Sequence, residues 1–400
     1  MKFKNTTLKT LILVSALLFA GAAHLFATVG LFHKWAPILA SSAVKAATES
    51  PNPNANTIQA ALLLDTSNSM DGLIEQAKSQ LWKILNELAR AKKDGETPDL
   101  QIALYEYGNT GLSATDGYIR QVQAFTSDMD LISEKLFSLT TNGGDEYCGQ
   151  VIHTALEQLK WNAAPSALRL IYIAGNEPFT QGPKPYTEAC AWAKEKDVII
   201  NTIFCGNYEE VISGHWQSGA ILGKGSYSNI DHNAVTTYIE TPYDSQITQL
   251  NLRLNATYLA YGTQGQQFKA NQAVQDQNAL KYSQANVADR AIFKSSSSYK
   301  NDKWDLVDAY KKDKKILSEQ KENLPDSLKH LSKAELEAEI QQLAQEREEA
   351  QREIQKLGEA RRAYIEAEKA KMPENTSNSL EDSVLAALRA QAKKKGFVIE

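Results

Sequence analysis

The sequence predicts an α/β fold: a doubly wound, mostly parallel sheet flanked by helices, with a C-terminal helical extension that reads as a coiled coil. Three observations predict it. Between residues 57 and 255 short apolar runs alternate with amphipathic stretches of helical period. The first of these runs ends abruptly in a carboxylate and hydroxyls. Over residues 327–372 the composition turns to Glu, Lys, Arg, Gln and Ala, with apolar residues at heptad spacing.

Residues 57–64 (TIQAALLL) form a strongly apolar strand. Residues 73–90 follow as an amphipathic helix, with Ile74, Ala77, Leu81, Ile84, Leu85 and Leu88 on one face. Residues 100–107 alternate as a strand does, and 118–125 do so more weakly. Helices are expected over 129–139, 151–161, 186–196 and 243–255, and strands over 168–174, 198–204 and 227–230. Such alternation means a mostly parallel sheet covered on both faces, with right-handed connections. Residues 257–262 offer one further strand, 265–298 a polar helix with loops, and 304–310 a short aromatic-bearing segment.

The chain divides into six parts: an export segment with its flank (1–46), a Pro- and Asn-rich linker (47–56), the α/β domain (57–255), a polar extension (256–326), a long charged helix (327–372) and a short amphipathic tail (373–400). Lys2, Lys4 and Lys9 precede an apolar run over residues 11–32, which is the pattern of an export signal. Cleavage after Ala20-Gly21-Ala22 competes with retention as a membrane anchor. His24 speaks against the anchor, and the still-apolar residues 25–32 speak against cleavage. Either way the lysines stay inside and the rest of the chain is expected in the periplasm, free or anchored to the inner membrane.

Within 327–372, Leu336, Leu343, Ala350, Leu357 and Tyr364 fall on one heptad position and Ile340, Arg347, Ile354 and Arg361 on its partner. This predicts self-association through a coiled coil, weakened by two arginines in the seam. The competing reading is a long helix packed on its own domain. A net charge of −5, with no basic stripe interleaved with aromatics, excludes nucleic acid as the expected partner.

The run Asp65-Thr66-Ser67-Asn68-Ser69 places a carboxylate and two hydroxyls on one tight turn at the carboxyl end of a buried strand, where open α/β sheets bind ligands. Hard oxygen donors of this kind suit Mg²⁺ or Mn²⁺, with Ca²⁺ as a further option. Here the sequence resembles the von Willebrand factor A-type (VWA) family and its metal-ion-dependent adhesion site (MIDAS), over residues 57–255. Asp65, Ser67 and Ser69 match the family's first ligand segment. The resemblance implies a threonine after a glycine pair as the second; here Gly143-Gly144 is followed by Asp145. It implies an aspartate after a Gly as the third; here Gly175 is followed by Asn176. The two departures compensate in charge and all five positions still offer oxygen. The resemblance also implies the mechanism, in which a protein partner's carboxylate completes the shell of the cation. Glu177 beside the site is read as solvated.

Cys148, Cys190 and Cys205 are expected near the same rim. A Cys190–Cys205 disulfide, a Cys148–Cys205 disulfide and free buried thiols are all open. Trp216 is read as packing, and His153, His215 and His232 lack a partner set for catalysis. No nucleophile elbow, P-loop or zinc-protease motif is present. The sequence therefore points to an exported, metal-dependent binding protein rather than an enzyme. The alternative is a metal-independent scaffold subunit of an envelope complex that uses the C-terminal helix.

Overall fold

Strand β1 (Thr57–Asp65) is buried along its whole length, as its unbroken apolar sequence requires. In the computed structural model, which describes residues 56–206, 214–230, 239–371 and 379–399, it is flanked by β2 (Asp99–Tyr107) and β4 (Leu168–Gly175), both parallel to it. Strand β3 (Ile119–Thr126) pairs antiparallel with β2 at one edge, and β5 (Ile199–Cys205) and β6 (Lys224–Ile230) extend the other edge in parallel. The order is β3-β2-β1-β4-β5-β6. This is the doubly wound, mostly parallel sheet that the alternation predicts. The expected export segment, nearly all of the linker, and His232 lie outside the described residues. Among the described residues no helix is long and apolar enough to cross a membrane.

The pleat sends alternate side chains to opposite faces. Ile58, Ala60, Leu62 and Leu64 join a core with helix α1 (Ile74–Leu88), α2 (Met129–Ser138) and α6 (Asp244–Ala256). Ala61 and Leu63 join the opposite core, with α3 (Cys148–Gln158), α4 (Tyr186–Glu195) and α5 (Trp216–Leu222).

The polar extension is part of this body. Helices α7 (Gly265–Tyr282) and α8 (Gln284–Lys294) dock through buried charge. Arg290 reaches Asp130 on α2 (2.7 Å) and Asp276 on α7 (2.5 Å), and Lys294 reaches Asp276 (2.8 Å). Residues 257–262 do not form the further strand; Ala260 makes only an isolated bridge to Asp305. After α9 (Leu306–Lys312) come two single-turn helices, Ile316–Glu319 and Asp326–Lys329.

The long helix α10 (Lys333–Lys369) opens with a capping box. The Ser332 hydroxyl accepts from the Glu335 N–H (3.3 Å), and the Glu335 carboxylate accepts from the Ser332 N–H (2.8 Å). Its heptad face meets its own chain instead of a second helix of the same kind. Leu336 and Ile340 pack with Leu306 and Tyr310, and Ala350 and Ile354 enter the sheet core. The two arginines explain why. Arg347 meets Asp305 and Asp308, each at 2.6 Å, and donates to the Thr257 carbonyl (2.7 Å). Arg361 meets Asp244 and Asp289, each at 2.7 Å. These residues are poor coiled-coil seam residues because they are ion-pair partners for the domain. The tail helix α11 (Ser379–Lys394) adds Val384, Leu388 and Ala392 to the same core. Beyond it, Val398–Ile399 pairs antiparallel with Ala91–Lys92.

Arg347→Met is expected to cost about 3–5 kcal/mol, because fully buried Asp305 loses its countercharge. Urea denaturation of the full chain measures it. A loss below about 1 kcal/mol would show that the Arg347–Asp305 pair does not hold α10 to the domain.

Candidate metal centre

Three strand ends meet at the carboxyl edge of the sheet. In register, Asp65 lies opposite Tyr107 of β2, and Leu64 opposite Ala174 of β4. The segments leaving β1, β2 and β4 therefore begin side by side. Glycines permit the approach. A Cβ at Gly108, whose φ is +80°, would lie 2.8 Å from Asp65 Oδ1 and 2.9 Å from Glu146 Cγ. A Cβ at Gly175 would lie 3.0 Å from Asp65 Oδ2.

The turn after β1 is organised by Asp65 itself: the Ser67 N–H donates to Asp65 Oδ1 (2.8 Å), closing an Asx-type turn. The Ser67 and Ser69 hydroxyls are 2.7 Å apart. Asn176 clasps Ser69 with both ends of its amide: Oδ1 accepts from the Ser69 hydroxyl (2.8 Å), and Nδ2 donates to the Ser69 carbonyl (2.8 Å). The structure thus brings together Asp65, Ser67, Ser69 and Asn176.

Asp145 is not with them. It is exposed, and its Oδ2 accepts from the Tyr147 hydroxyl (3.1 Å). The carboxylate that turns inward is the next one, Glu146. It is buried, close to Asp65 and hydrogen-bonded to Ser67. Its backbone N–H is held by Gln181 Oε1 (2.7 Å). The sequence carries the pair Asp145-Glu146 just before α3, and spacing alone does not say which side chain faces the sheet.

The centre concentrates negative charge. Asp65 has no solvent exposure, and its Oδ2 has no hydrogen-bond partner of normal geometry. Burial pushes its carboxyl up to about 7, opposed only in part by the Ser67 and Asn176 donors. Glu146 is likewise pushed up to about 7, by burial and by the charges of Asp65 and half-buried Glu177. Among the described residues, no three His, Cys, Asp or Glu side chains gather as a metal site. The donor set here is mixed, with serine and amide oxygens beside the carboxylates.

All three cysteines are free and buried, so the Cys190–Cys205 bond does not form. Cys190 packs in the core on the α3 and α4 face, and Cys205 in the core on the other face. The sheet separates them. Cys148 lies 3.7 Å from the Tyr107 hydroxyl. Trp216 is fully buried against Phe179 and Phe204, and its indole N–H donates to the Glu177 carbonyl (2.7 Å). It packs as expected and also pins the loop after β4.

No protein-family model matches the chain, and no curated protein matches it. Among solved structures it is similar to the conserved hypothetical protein BatB from Bacteroides thetaiotaomicron, at 19% identity over 44% of this chain and 90% of that one, with a TM-score of 0.33. It is similar to the SpRpn10 VWA domain, at 18% identity over 44% and 87%, with a TM-score of 0.34. It is also similar to proximal thread matrix protein 1 from the mussel byssus, described with a zinc-occupied MIDAS motif, at 11% identity over 46% and 43%, with a TM-score of 0.34. The fold is an open, mostly parallel sheet with helices on both faces. What the chain binds has to be read from its own residues.

The pH dependence of stability follows from the two raised carboxyls. The folded state holds protons on Asp65 and Glu146 that the unfolded chain has released above about pH 4. Their contribution is complete below that pH and is lost as pH rises through about 7. In chelator-treated full chain the melting temperature is therefore expected to fall between pH 5 and pH 8, after correction for the rest of the chain by the Asp65→Asn variant. Parallel curves for the two proteins would contradict the burial argument.

Proposed function

We propose that this protein is an exported binding module that holds a divalent cation at the Asp65 centre and uses it to engage a protein partner. The observation that carries the reading is the orphaned Asp65 Oδ2, buried beside a second carboxylate and two hydroxyls. A buried charge without a partner is expensive, and a hard cation is the species that this donor chemistry fits. Asp65, Glu146, Ser67 and Ser69 would hold Mg²⁺ or Mn²⁺, with Asn176 orienting Ser69. A bound cation would supply a coordination position for a carboxylate of the partner. The chain's own part is to fix the hydroxyls through the Asn176 clasp and to keep bulk from the centre at Gly108 and Gly175.

Export rests on Lys2, Lys4, Lys9 and the apolar run that follows. The scaffold alternative relied on the 327–372 seam being open to other chains, and that seam is engaged with its own domain. This favours the metal-dependent reading.

Mn²⁺ or Mg²⁺ is expected to raise the melting temperature of the full chain and to leave Asp65→Ala unmoved, because a ligand that binds only the folded state stabilises it by mass action. Glu146→Gln is expected to weaken Mn²⁺ binding by roughly tenfold or more, and Asp145→Asn to leave it unchanged, in a calorimetric titration. The reverse ranking would assign the site to Asp145. No shift with any divalent cation would overturn the reading.

A further inference from the structure

Next to the centre, on the other side of the loop that follows β2, lies a polar groove of about 470 Å³, lined by Glu106, Asn109, Arg120, Lys135, Ser138 and Thr140 among others. Chain and hydrogen bonds tie it to the centre. Gly108, which abuts Asp65, leads directly into Asn109. Asn109 Nδ2 donates to the Thr140 carbonyl (3.3 Å), and two residues on, the Asn142 N–H donates to the carbonyl of Thr66 (2.9 Å), the residue after Asp65.

The groove is lined by two cationic side chains, Arg120 and Lys135, against one carboxylate, the buried Glu106. Glu106 is 3% exposed and holds Arg120 at 2.6 Å through the arginine's Nε. That contact fixes the guanidinium from behind and leaves its terminal nitrogens for a ligand. Lys135 stands on α2, with a long contact of 3.5 Å to its half-buried neighbour Glu134. Two cationic groups thus line a groove beside a centre that carries Asp65, Glu146 and Glu177.

We propose that the groove is the second half of the partner surface: it takes a second carboxylate of the same acidic protein segment whose first carboxylate goes to the cation at the Asp65 centre. The inference rests on the metal-dependent reading above. Its physics is complementary. The carboxylates of the centre repel an acidic segment until the cation is bound, whereas Arg120 and Lys135 attract it at a distance and fix its direction. An arginine already oriented by a buried carboxylate loses little freedom when it takes a carboxylate in its fork. The pairing discriminates as well, since a segment with one acidic residue fills only the metal position.

The test uses the full chain, immobilised in Mn²⁺, and a random dodecapeptide library displayed on phage and eluted with chelator. The expected clones carry two Asp or Glu residues close in sequence, and replacing either one in the synthetic peptide lowers its affinity roughly tenfold. In Arg120→Ala, and separately in Lys135→Glu, which leaves the Glu106–Arg120 pair intact, one of the two replacements loses its effect while Mn²⁺ dependence stays. Chelator-eluted clones with a single acidic residue, or variants that still need both, would overturn this inference and leave the metal reading standing. The absence of any chelator-eluted clone would overturn this inference, and the melting-temperature shift with Mn²⁺ decides separately whether the metal reading falls with it.

Discussion

The carboxylate of Asp65 is the constraint on which the rim of this molecule depends. It ends a strand with no solvent exposure, one oxygen is tied to the Ser67 N–H, and the other has no hydrogen-bond partner of normal geometry. The neighbouring strands leave it room through Gly108, just after β2, and Gly175, the last residue of β4. The turn that follows wraps back on it, and the loop after β4 is pinned by the Trp216 indole and the Asn176 clasp. A fold does not ordinarily spend a buried strand end on a charge without a countercharge.

Elsewhere among the described residues the buried carboxylates, and half-buried Asp276, have cationic partners. Asp130 and Asp276 meet Arg290, Asp276 also meets Lys294, Asp305 meets Arg347, and Asp244 meets Arg361. These pairs join the C-terminal helices to the α/β domain, and each leaves a costly unmatched charge if one partner is removed. Against that background the carboxylates of Asp65 and Glu146 stand out. Their nearest charged neighbour is another carboxylate, Glu177, and on the reading proposed above a cation would complete them. The contrast within one chain gives the metal reading a physical footing that does not depend on likeness to other proteins.

Much of the fold was legible in the sequence because it is written in periodicity. The unbroken apolar run of β1, the helical face from Ile74 to Leu88, and the strand-helix alternation to Ala256 give the layered sheet. The Asp65 turn was legible because three oxygen donors follow a buried strand, and Asn176 because it follows a Gly at the end of another. Glu146 was not, because Asp145 and Glu146 are adjacent and the approach to α3 decides which turns inward. The heptads of α10 show that a face must be covered without naming what covers it. Arg347 and Arg361 were the signal that the cover is acidic and local. Of the cysteine alternatives the free buried thiols are what the structure has, since Cys205 sits on the strand face away from Cys190.

Anomalous diffraction from a crystal of the full chain grown with Mn²⁺ tests the account most directly. The predicted result is one strong peak within about 2.5 Å of Asp65 Oδ2, with Glu146 and at least one of the Ser67 and Ser69 hydroxyls as further ligands and Asp145 turned away. A peak coordinated by Asp145 would move the site by one residue. A refined map with no peak there, and Asp65 Oδ2 hydrogen-bonded to protein or water instead, would contradict the claim that a cation completes this buried carboxylate.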